Sequence, residues 1–138
     1  MITRQYSYLP EAAKDIRTAV FIDEQGFVEE FDDKDDTSVH FVMYDDTVPV
    51  ATCRVLFDND KQCFMIGRVA VIKEYRSKCL GSLIMVEAQN YIRSIGGKTV
   101  GVSAQCRASD FYKKHGFVEQ GDMYYEEFCP HIFMKKEF

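Results

Sequence analysis

The chain has 138 residues, of which 46% are hydrophobic and 14% aromatic, and its formal net charge is −5. This composition excludes an intrinsically disordered chain and predicts one globular domain over residues 1–138. The acidic balance argues against nucleic acid as the main partner and favours a cationic or amine-bearing ligand. No apolar run approaches the about 20 residues of a membrane span. The N-terminus lacks the apolar core of a signal peptide, so we expect a cytoplasmic protein with no membrane partner.

Cysteine usage argues against a disulfide framework and against a structural zinc site. The cysteines are odd in number, widely spread and contain no Cys-x-x-Cys pair, so we expect most of them to be small buried side chains and expect no metal. The five positions are Cys53, Cys63, Cys79, Cys106 and Cys129.

The N-terminal part predicts a strand followed by a helix. Residues 2–8 alternate in polarity as a first strand does. Pro10 suits the first turn of a helix, and Glu11 favours the positive end of the helix dipole. Apolar residues then recur at helical spacing, so we expect this helix to end at about Phe21 or Gln25.

An acidic segment follows, from Glu29 to Asp36. Its plain interpretation is a solvated loop. It does not match a calcium-binding loop, because the glycine at the sixth position and the glutamate at the twelfth are absent in every register.

Strands and helices then alternate. Gly67 lies inside a predicted strand at a place where a bulge would cost little. We assign the apolar stripe of the helix over residues 80–95 to Leu83, Ile84, Val86, Glu87, Ala88 and Tyr91. The predicted strands are 39–44, 48–57, 63–72, 99–103, a strand from Phe117 onward and 129–138, and the predicted helices are 80–95 and 107–115.

The stretch from Arg68 to Ser82 predicts a strand, a polar turn and the start of a helix. The first N–H groups of such a helix are unpaired, and the positive end of its dipole faces the turn. Arg76 and Lys78 lie in that turn, which makes it a candidate cradle for a pyrophosphate. The alternative is an ordinary strand-to-helix junction.

This turn resembles motif A of the GNAT superfamily of N-acetyltransferases, in which Arg or Gln is followed by two residues, Gly, one residue, and Gly or Ala. Arg76 and Gly81 match the first and last positions, whereas Cys79 stands where the family has its first glycine. The N–H of a cysteine can still donate. If position 79 requires a positive φ, however, the side chain costs about 1 kcal/mol.

Two further motifs extend the resemblance over essentially the whole chain. Residues 108–117 resemble motif B of the same family, F-Y-x-x-x-G-F. The N-terminal half resembles the R-x-x-V-F-x-x-E-Q signature of the ElaA-like and YjcF-like subgroup, which is followed by acidic residues and a histidine. The matching positions are Arg17, Val20, Phe21, Glu24, Gln25, Asp32, Asp36 and His40.

The resemblance implies a single-domain α/β GNAT fold. Its sheet is mixed and twisted, with about six to seven strands flanked by about four helices, and strands 4 and 5 are splayed. It also implies an acyltransferase that moves the acetyl group of acetyl-CoA to a primary amine by direct attack in a ternary complex. The acidic segment favours a small cationic acceptor, because an anionic wall attracts a protonated amine. Dimers are common in the family, so a homodimer is among the expected states.

In such a fold the main chain at Val69 and Val71 pairs with the pantetheine arm, and one backbone N–H there faces the acetyl oxygen. The turn and the helix start hold the pyrophosphate. The full set expected to bind the donor is Val69, Ala70, Val71, Arg76, Ser77, Lys78, Cys79, Leu80, Gly81 and Ser82.

Tyr112 is the residue expected to protonate the leaving thiolate, because a phenol pKa near 10 is close to that of a coenzyme thiol. The alternative is a packing aromatic in an amphipathic helix. For the general base, Glu24, His40 and a water chain stay open. Residues expected to shape the acceptor pocket are Glu24, Asp36, Arg54 and Arg68.

Two other function classes compete with this one. A non-catalytic acyl-CoA-binding or sensing domain would keep the fold but not turnover, and it would release no CoA-SH when amines are added. A relative of the acyl-homoserine-lactone synthases would consume S-adenosylmethionine, but the short chain and the absence of tryptophan count against it. Cys79 and Cys106 are poor candidates for nucleophiles, because no motif places a histidine to activate either thiol.

Overall fold

A computed structural model describes residues 1–138. The predicted order of elements is confirmed, and the boundaries agree within two residues because the polarity patterns and turn residues are local signals. The strands are β1 (Ile2–Tyr6), β2 (Val39–Asp45), β3 (Val48–Asp58), β4 (Cys63–Val71), β5 (Thr99–Gln105), β6 (Val118–Glu126) and β7 (Cys129–Glu137). The α-helices are α1 (Glu11–Arg17), α2 (Leu80–Ser94) and α3 (Ser109–Lys114).

The first helix changes type along its length. α1 continues directly into a π-helix over Thr18–Glu24, so the predicted extent of the helix is confirmed. The sequence did not predict that its second half is a π-helix. π-Helices are rare, and those that occur often lie at functional sites. Val20 and Phe21 pack here into a buried cluster with Ala13 and Ile16, and Glu24 ends the π-helix.

The seven strands follow the order β1-β2-β3-β4-β5-β7-β6. The pairs β1–β2, β2–β3, β5–β7 and β6–β7 are antiparallel, whereas β4–β5 is parallel. The parallel ladder joins Phe64 to Val100 and Met65 to Gly101, and both strands continue beyond it. The mixed seven-stranded sheet with its parallel β4–β5 pair confirms the predicted fold class, with three α-helices in place of about four.

Two compact units make up the chain. The first comprises Met1–Leu56 with Ile66–Asn90, and the second comprises Phe57–Met65 with Tyr91–Phe138. In the second unit, position 101 requires a glycine for steric reasons, because an added Cβ would lie 2.6 Å from the ring of Phe133. No helix combines the length and the apolar composition that crossing a membrane requires.

The buried face of α2 differs from the predicted stripe. Leu83 and Val86 are 49% and 46% exposed, whereas Ile84, Ala88 and Ile92 are fully buried at a spacing of four residues. Placing Leu83 and Val86 on the core face was therefore wrong. Single exposed apolar residues are normal on protein surfaces, and hydrophobicity alone does not identify the buried side.

Candidate active site

The loop between β4 and α2 has an unusual backbone. Ser77 and Cys79 have φ values of 69° and 62°, in the left-handed region. The carbonyl of Cys79 accepts the N–H of Leu83 at 3.1 Å, so Cys79 immediately precedes the first turn of α2. The condition under which Cys79 carries a conformational cost of about 1 kcal/mol is thus met. Left-handed residues of this kind are typical of backbone nests that bind anions.

Arg76 and Glu24, which the sequence assigned to different substrates, bind each other. Arg76 donates from Nη1 to Oε2 of Glu24 at 2.9 Å and from Nη2 to Oε1 at 2.7 Å. Its Nε donates to the carbonyl of Val71 at 3.0 Å. The hydrogen bond from Arg76 is the main cause that lowers the pKa of Glu24 below its ordinary value. While this pair holds, the guanidinium is occupied and the carboxylate is a weak base.

The rest of the loop is anchored through Tyr75. The Tyr75 hydroxyl donates to Oδ2 of Asp45 at 2.6 Å, at the end of β2. The Nζ of Lys78 lies 5.0 Å from the centre of the Tyr75 ring, within cation–π range. Lys78 itself is exposed, so its charge faces solvent beside the start of α2.

The backbone of β4 is irregular at Arg68, the residue after Gly67, where the sequence suggested that a bulge would cost little. Arg68 has a φ of 51°, which is rare for a non-glycine residue and is concentrated at functional sites. Its Nε and Nη2 donate to the carbonyl of Glu30 at 3.2 and 2.9 Å. Its Nε also lies 2.9 Å from Oε2 of Glu30. These bonds hold the strained residue in place.

The acidic segment is folded by its own side chains. Asp32 caps a 3₁₀ helix over Asp33–Thr37 and accepts the N–H of Lys34 at 3.1 Å, while Asp35 accepts the N–H of Asp32 at 3.2 Å. This reciprocal arrangement is a capping box. It turns the carboxylate of Asp35 inward, where the residue is 3% exposed.

Three arginines neutralise three of the carboxylates of this segment. Arg17 binds Glu30 through Nε and Asp35 through Nη1, each at 2.8 Å, and Arg54 binds Asp32 and Asp35 through Nη1 at 2.7 and 2.9 Å. The interpretation as a solvated loop is therefore wrong for Glu30 and Asp35. The members of this network are Arg17, Arg54, Arg68, Glu30, Asp32 and Asp35, three cations against three anions, of which Arg17, Arg54, Glu30 and Asp35 are buried.

The pKa values follow these contacts. Burial opposes ionisation of Asp35, but the hydrogen bonds from Arg17 and Arg54 outweigh it and lower its pKa to about 2. Burial raises the pKa of Glu30 above its ordinary value despite its arginine partners. Asp36 lies on the exposed side of the 3₁₀ helix, away from this burial.

His40 is part of the support of this network. It is 1% exposed, and its Nε2 lies 2.9 Å from the carbonyl oxygen of Asp35, so the ring nitrogen donates there. Burial lowers the pKa of His40. This position gives His40 a structural role, and its predicted role as a base has no further support.

Tyr112 lies in α3 of the second unit. The helix begins at Ser109. The Tyr112 ring makes edge-to-face contacts with Phe111 and Phe117, with ring centres 5.0 and 6.0 Å apart. These contacts explain the aromatic residues of motif B, and the catalytic role of the hydroxyl stays a prediction.

Comparison with known proteins agrees with this architecture. The family model of the acetyltransferase (GNAT) domain matches residues 7–138. A Bacillus subtilis protein named "Uncharacterized N-acetyltransferase YjcF" is 31% identical over 125 residues, covering 88% of each chain. Protein ElaA of Escherichia coli is 31% identical over 127 residues, covering 88% of this chain and 83% of its own.

Solved structures show the same fold. The crystal structure of Escherichia coli ElaA superposes with a TM-score of 0.88 at 26% identity, covering 99% of this chain and 100% of its own. An aminoglycoside 6′-N-acetyltransferase complexed with coenzyme A has a TM-score of 0.75 at 13% identity, covering 99% and 97%, and shares the fold alone. The chain therefore belongs to the GNAT family of acetyltransferases, in the ElaA-like and YjcF-like subgroup, and is an acyltransferase.

Proposed function

We propose that the protein, as one domain over residues 1–138, transfers the acetyl group of acetyl-CoA to a primary amine of a small cationic acceptor. The amine attacks the thioester directly in a ternary complex. The observation that carries this proposal is the loop before α2, where a left-handed backbone, a helix N-terminus and the guanidinium of Arg76 lie together.

The donor is held by the segment from Val69 to Ser82. The guanidinium of Arg76 has a planar fork that fits a phosphate as well as it fits the carboxylate of Glu24. We infer that Arg76 exchanges Glu24 for the pyrophosphate, and that the N–H groups of Ser77 to Ser82 complete the cradle. The main chain of Val69 and Val71 pairs with the amides of the pantetheine arm, and Ala70 between them is buried.

The exchange at Arg76 also sets the chemistry of Glu24. Released from the guanidinium, the carboxylate accepts the proton that the attacking amine must lose. Tyr112 gives a proton to the departing thiolate, so one proton enters and one leaves in each turnover. His40 and a water chain are the alternatives for the base, and Asp36, Arg54 and Arg68 are the further residues proposed for the acceptor pocket.

The test combines calorimetric titration with acetyl-CoA and a screen for release of CoA-SH with primary amines. We expect micromolar binding that weakens markedly in Arg76→Ala, and CoA-SH release that depends on the added amine. Binding without release for any amine would favour an acyl-CoA-sensing domain, in which the strained Cys79 loop keeps the ligand but not turnover. Absence of binding would contradict the proposed donor site.

A further inference from the structure

The hairpin formed by β2 and β3 supports the loop before α2 at two points. The N–H of Ile72 donates to the carbonyl of Val50 in β3 at 3.0 Å, where the chain leaves β4. Three residues later, the hydroxyl of Tyr75 donates to Oδ2 of Asp45 at 2.6 Å. Asp45 is the last residue of β2 and lies 30 positions before Tyr75. The loop is therefore fixed by a hairpin that lies outside its own motif.

The bond between Tyr75 and Asp45 fixes the aromatic ring. Its length is that of a hydrogen bond from a hydroxyl to an ionised oxygen. This bond is also the main cause that raises the pKa of Tyr75, so the phenol keeps the proton that it donates. A tyrosine side chain has only two torsions that place its ring, and the hydroxyl lies at its far end. Holding the hydroxyl therefore holds the ring.

The ring of Tyr75 in turn restrains Lys78. The Nζ atom lies 5.0 Å from the ring centre, within the range of a cation–π contact. Lys78 stands between Ser77 and Cys79, the two residues with a left-handed backbone. Its ammonium is thus attached to the part of the loop that resembles an anion-binding nest. A lysine on a protein surface otherwise samples many rotamers, so the ring orders a flexible cation.

Lys78 differs from Arg76 in the partner that its charge has. The guanidinium of Arg76 is paired with Glu24 and has to exchange that carboxylate before it can bind a phosphate. Lys78 is exposed, and its side chain contacts an aromatic ring in place of a carboxylate. Its charge can therefore meet a phosphate without any exchange of partners.

We propose that Asp45 and Tyr75 are positioning residues for the donor, which hold the ammonium of Lys78 where it meets the pyrophosphate of acetyl-CoA. This inference rests on the proposed function, because the donor is the acetyl-CoA of that reaction. The contact with the donor is made by Lys78, and Asp45 and Tyr75 act through it. Binding gains from this order, because a side chain that is already restrained loses less entropy when the phosphate arrives.

The competing interpretation is a purely structural role for the Tyr75–Asp45 bond. In that case the loss of the bond would loosen the whole loop, including Arg76 and the first N–H groups of α2. Donor binding would then weaken whether or not residue 78 carries a charge. If the bond acts through Lys78, its loss has no effect on donor binding once Lys78 has been replaced.

The first experiment is a calorimetric titration of acetyl-CoA in a double-mutant cycle. Asp45→Ala and Tyr75→Phe are each expected to weaken binding about threefold, and Lys78→Met about fivefold. Asp45→Asn is the matched control, because it makes the same change in charge but keeps an oxygen that accepts from Tyr75. Its affinity should stay within about twofold of that of Tyr75→Phe's parent, the wild type. The kcat of each variant at saturating acetyl-CoA should stay within about twofold of the wild-type value.

The double variant decides between the two interpretations. Asp45→Ala combined with Lys78→Met should bind acetyl-CoA as Lys78→Met alone does. A further weakening of about threefold in the double variant would show a structural role and overturn the inference. Wild-type affinity in both Asp45→Ala and Tyr75→Phe would overturn it as well. Wild-type protein that binds acetyl-CoA with no coupling in the cycle would contradict this inference alone, whereas wild-type protein that binds no acetyl-CoA would contradict the proposed function too.

A second experiment tests the positioning without any donor. Nuclear magnetic resonance of protein with ¹³C-labelled lysine follows the Cε–H signal of Lys78, which is identified by its loss in Lys78→Met. The ring current of Tyr75 should displace this signal from those of other exposed lysines in the wild type and in Asp45→Asn. The signal should move toward them in Asp45→Ala and coincide with them in Tyr75→Leu. A signal that Asp45→Ala leaves unchanged would reject Asp45 as a positioning residue.

Discussion

The ion pair between Arg76 and Glu24 predicts that Glu24→Gln tightens the binding of acetyl-CoA. The glutamine keeps the size of the side chain but removes the charge that holds the guanidinium. The two side chains are 41% and 34% exposed, so solvent screens their attraction. A bidentate pair at such exposure contributes about 0.5–1 kcal/mol. Releasing Arg76 in advance should therefore lower the dissociation constant about two- to fivefold.

Calorimetric titration with acetyl-CoA in a double-mutant cycle of Glu24→Gln and Arg76→Ala measures this effect. Arg76→Ala is expected to weaken acetyl-CoA binding about tenfold or more, because a bidentate phosphate contact is lost. In the double variant the Glu24→Gln effect should disappear, because the residue it released is gone. Asp23→Asn, a neighbouring exposed acid in the same π-helix, is the matched control for the change in net charge and should leave the affinity unchanged.

Although Glu24→Gln should bind acetyl-CoA more tightly, its turnover should be slower. If Glu24 is the base, its loss lowers kcat about a hundredfold although the donor binds more tightly. Equal or weaker binding of acetyl-CoA by Glu24→Gln would refute the exchange of partners at Arg76. Tighter binding with unchanged kcat would keep the exchange and remove Glu24 from the chemistry.

Three further predictions concern other parts of the molecule. Tyr112→Phe should lower kcat about a hundredfold without changing acetyl-CoA affinity, and an unchanged kcat would exclude Tyr112 as the acid. Asp35→Asn should cost about 3–5 kcal/mol in urea unfolding, because it breaks a buried pair, whereas exposed Asp36→Asn should cost less than about 0.5 kcal/mol. The folded pKa of Asp35 is about 2 against an ordinary 3.8, so its stabilisation is present above pH 3.8 and is lost as pH falls through about 2. The free energy of unfolding of the wild type should fall by about 2 kcal/mol over that pH range. An equally steep fall in Asp35→Asn would contradict the conclusion that Asp35 causes it. Cys79→Val should weaken acetyl-CoA binding about tenfold, because β-branched residues avoid positive φ, while Cys79→Gly should bind at least as tightly as wild type.

Local patterns were sufficient for the elements and for the family. Alternation, helical spacing and turn residues act over a few positions, and the boundaries they predicted agree with the structure within two residues. The loop motif identified Arg76 for the same reason, because its residues are contiguous. The same patterns did not distinguish Leu83 from Ile84 on α2, where the surrounding chain decides which apolar side chain is buried.

The partners of the charged residues depend on the folded chain. Arg76 and Glu24 are 52 positions apart, and Arg68 and Glu30 are 38 apart. The acidic segment looked like an anionic surface, yet three arginines from α1, β3 and β4 neutralise three of its carboxylates. Arg17 belonged to the N-terminal signature, but nothing in its spacing named Asp35 as its partner.

The element order and the motif residues were readable from the order of residues, because each depends on neighbours a few positions away, whereas the cost at Cys79 depended on a positive φ that only the structure shows. The pairing of Arg76 with Glu24 and the neutral network around Asp35 required the fold. The strand order β5-β7-β6 brings together residues up to 38 positions apart, from Thr99 to Glu137. Hydrogen bonds and ion pairs act over about 3 Å through space, a distance that separation along the chain does not encode.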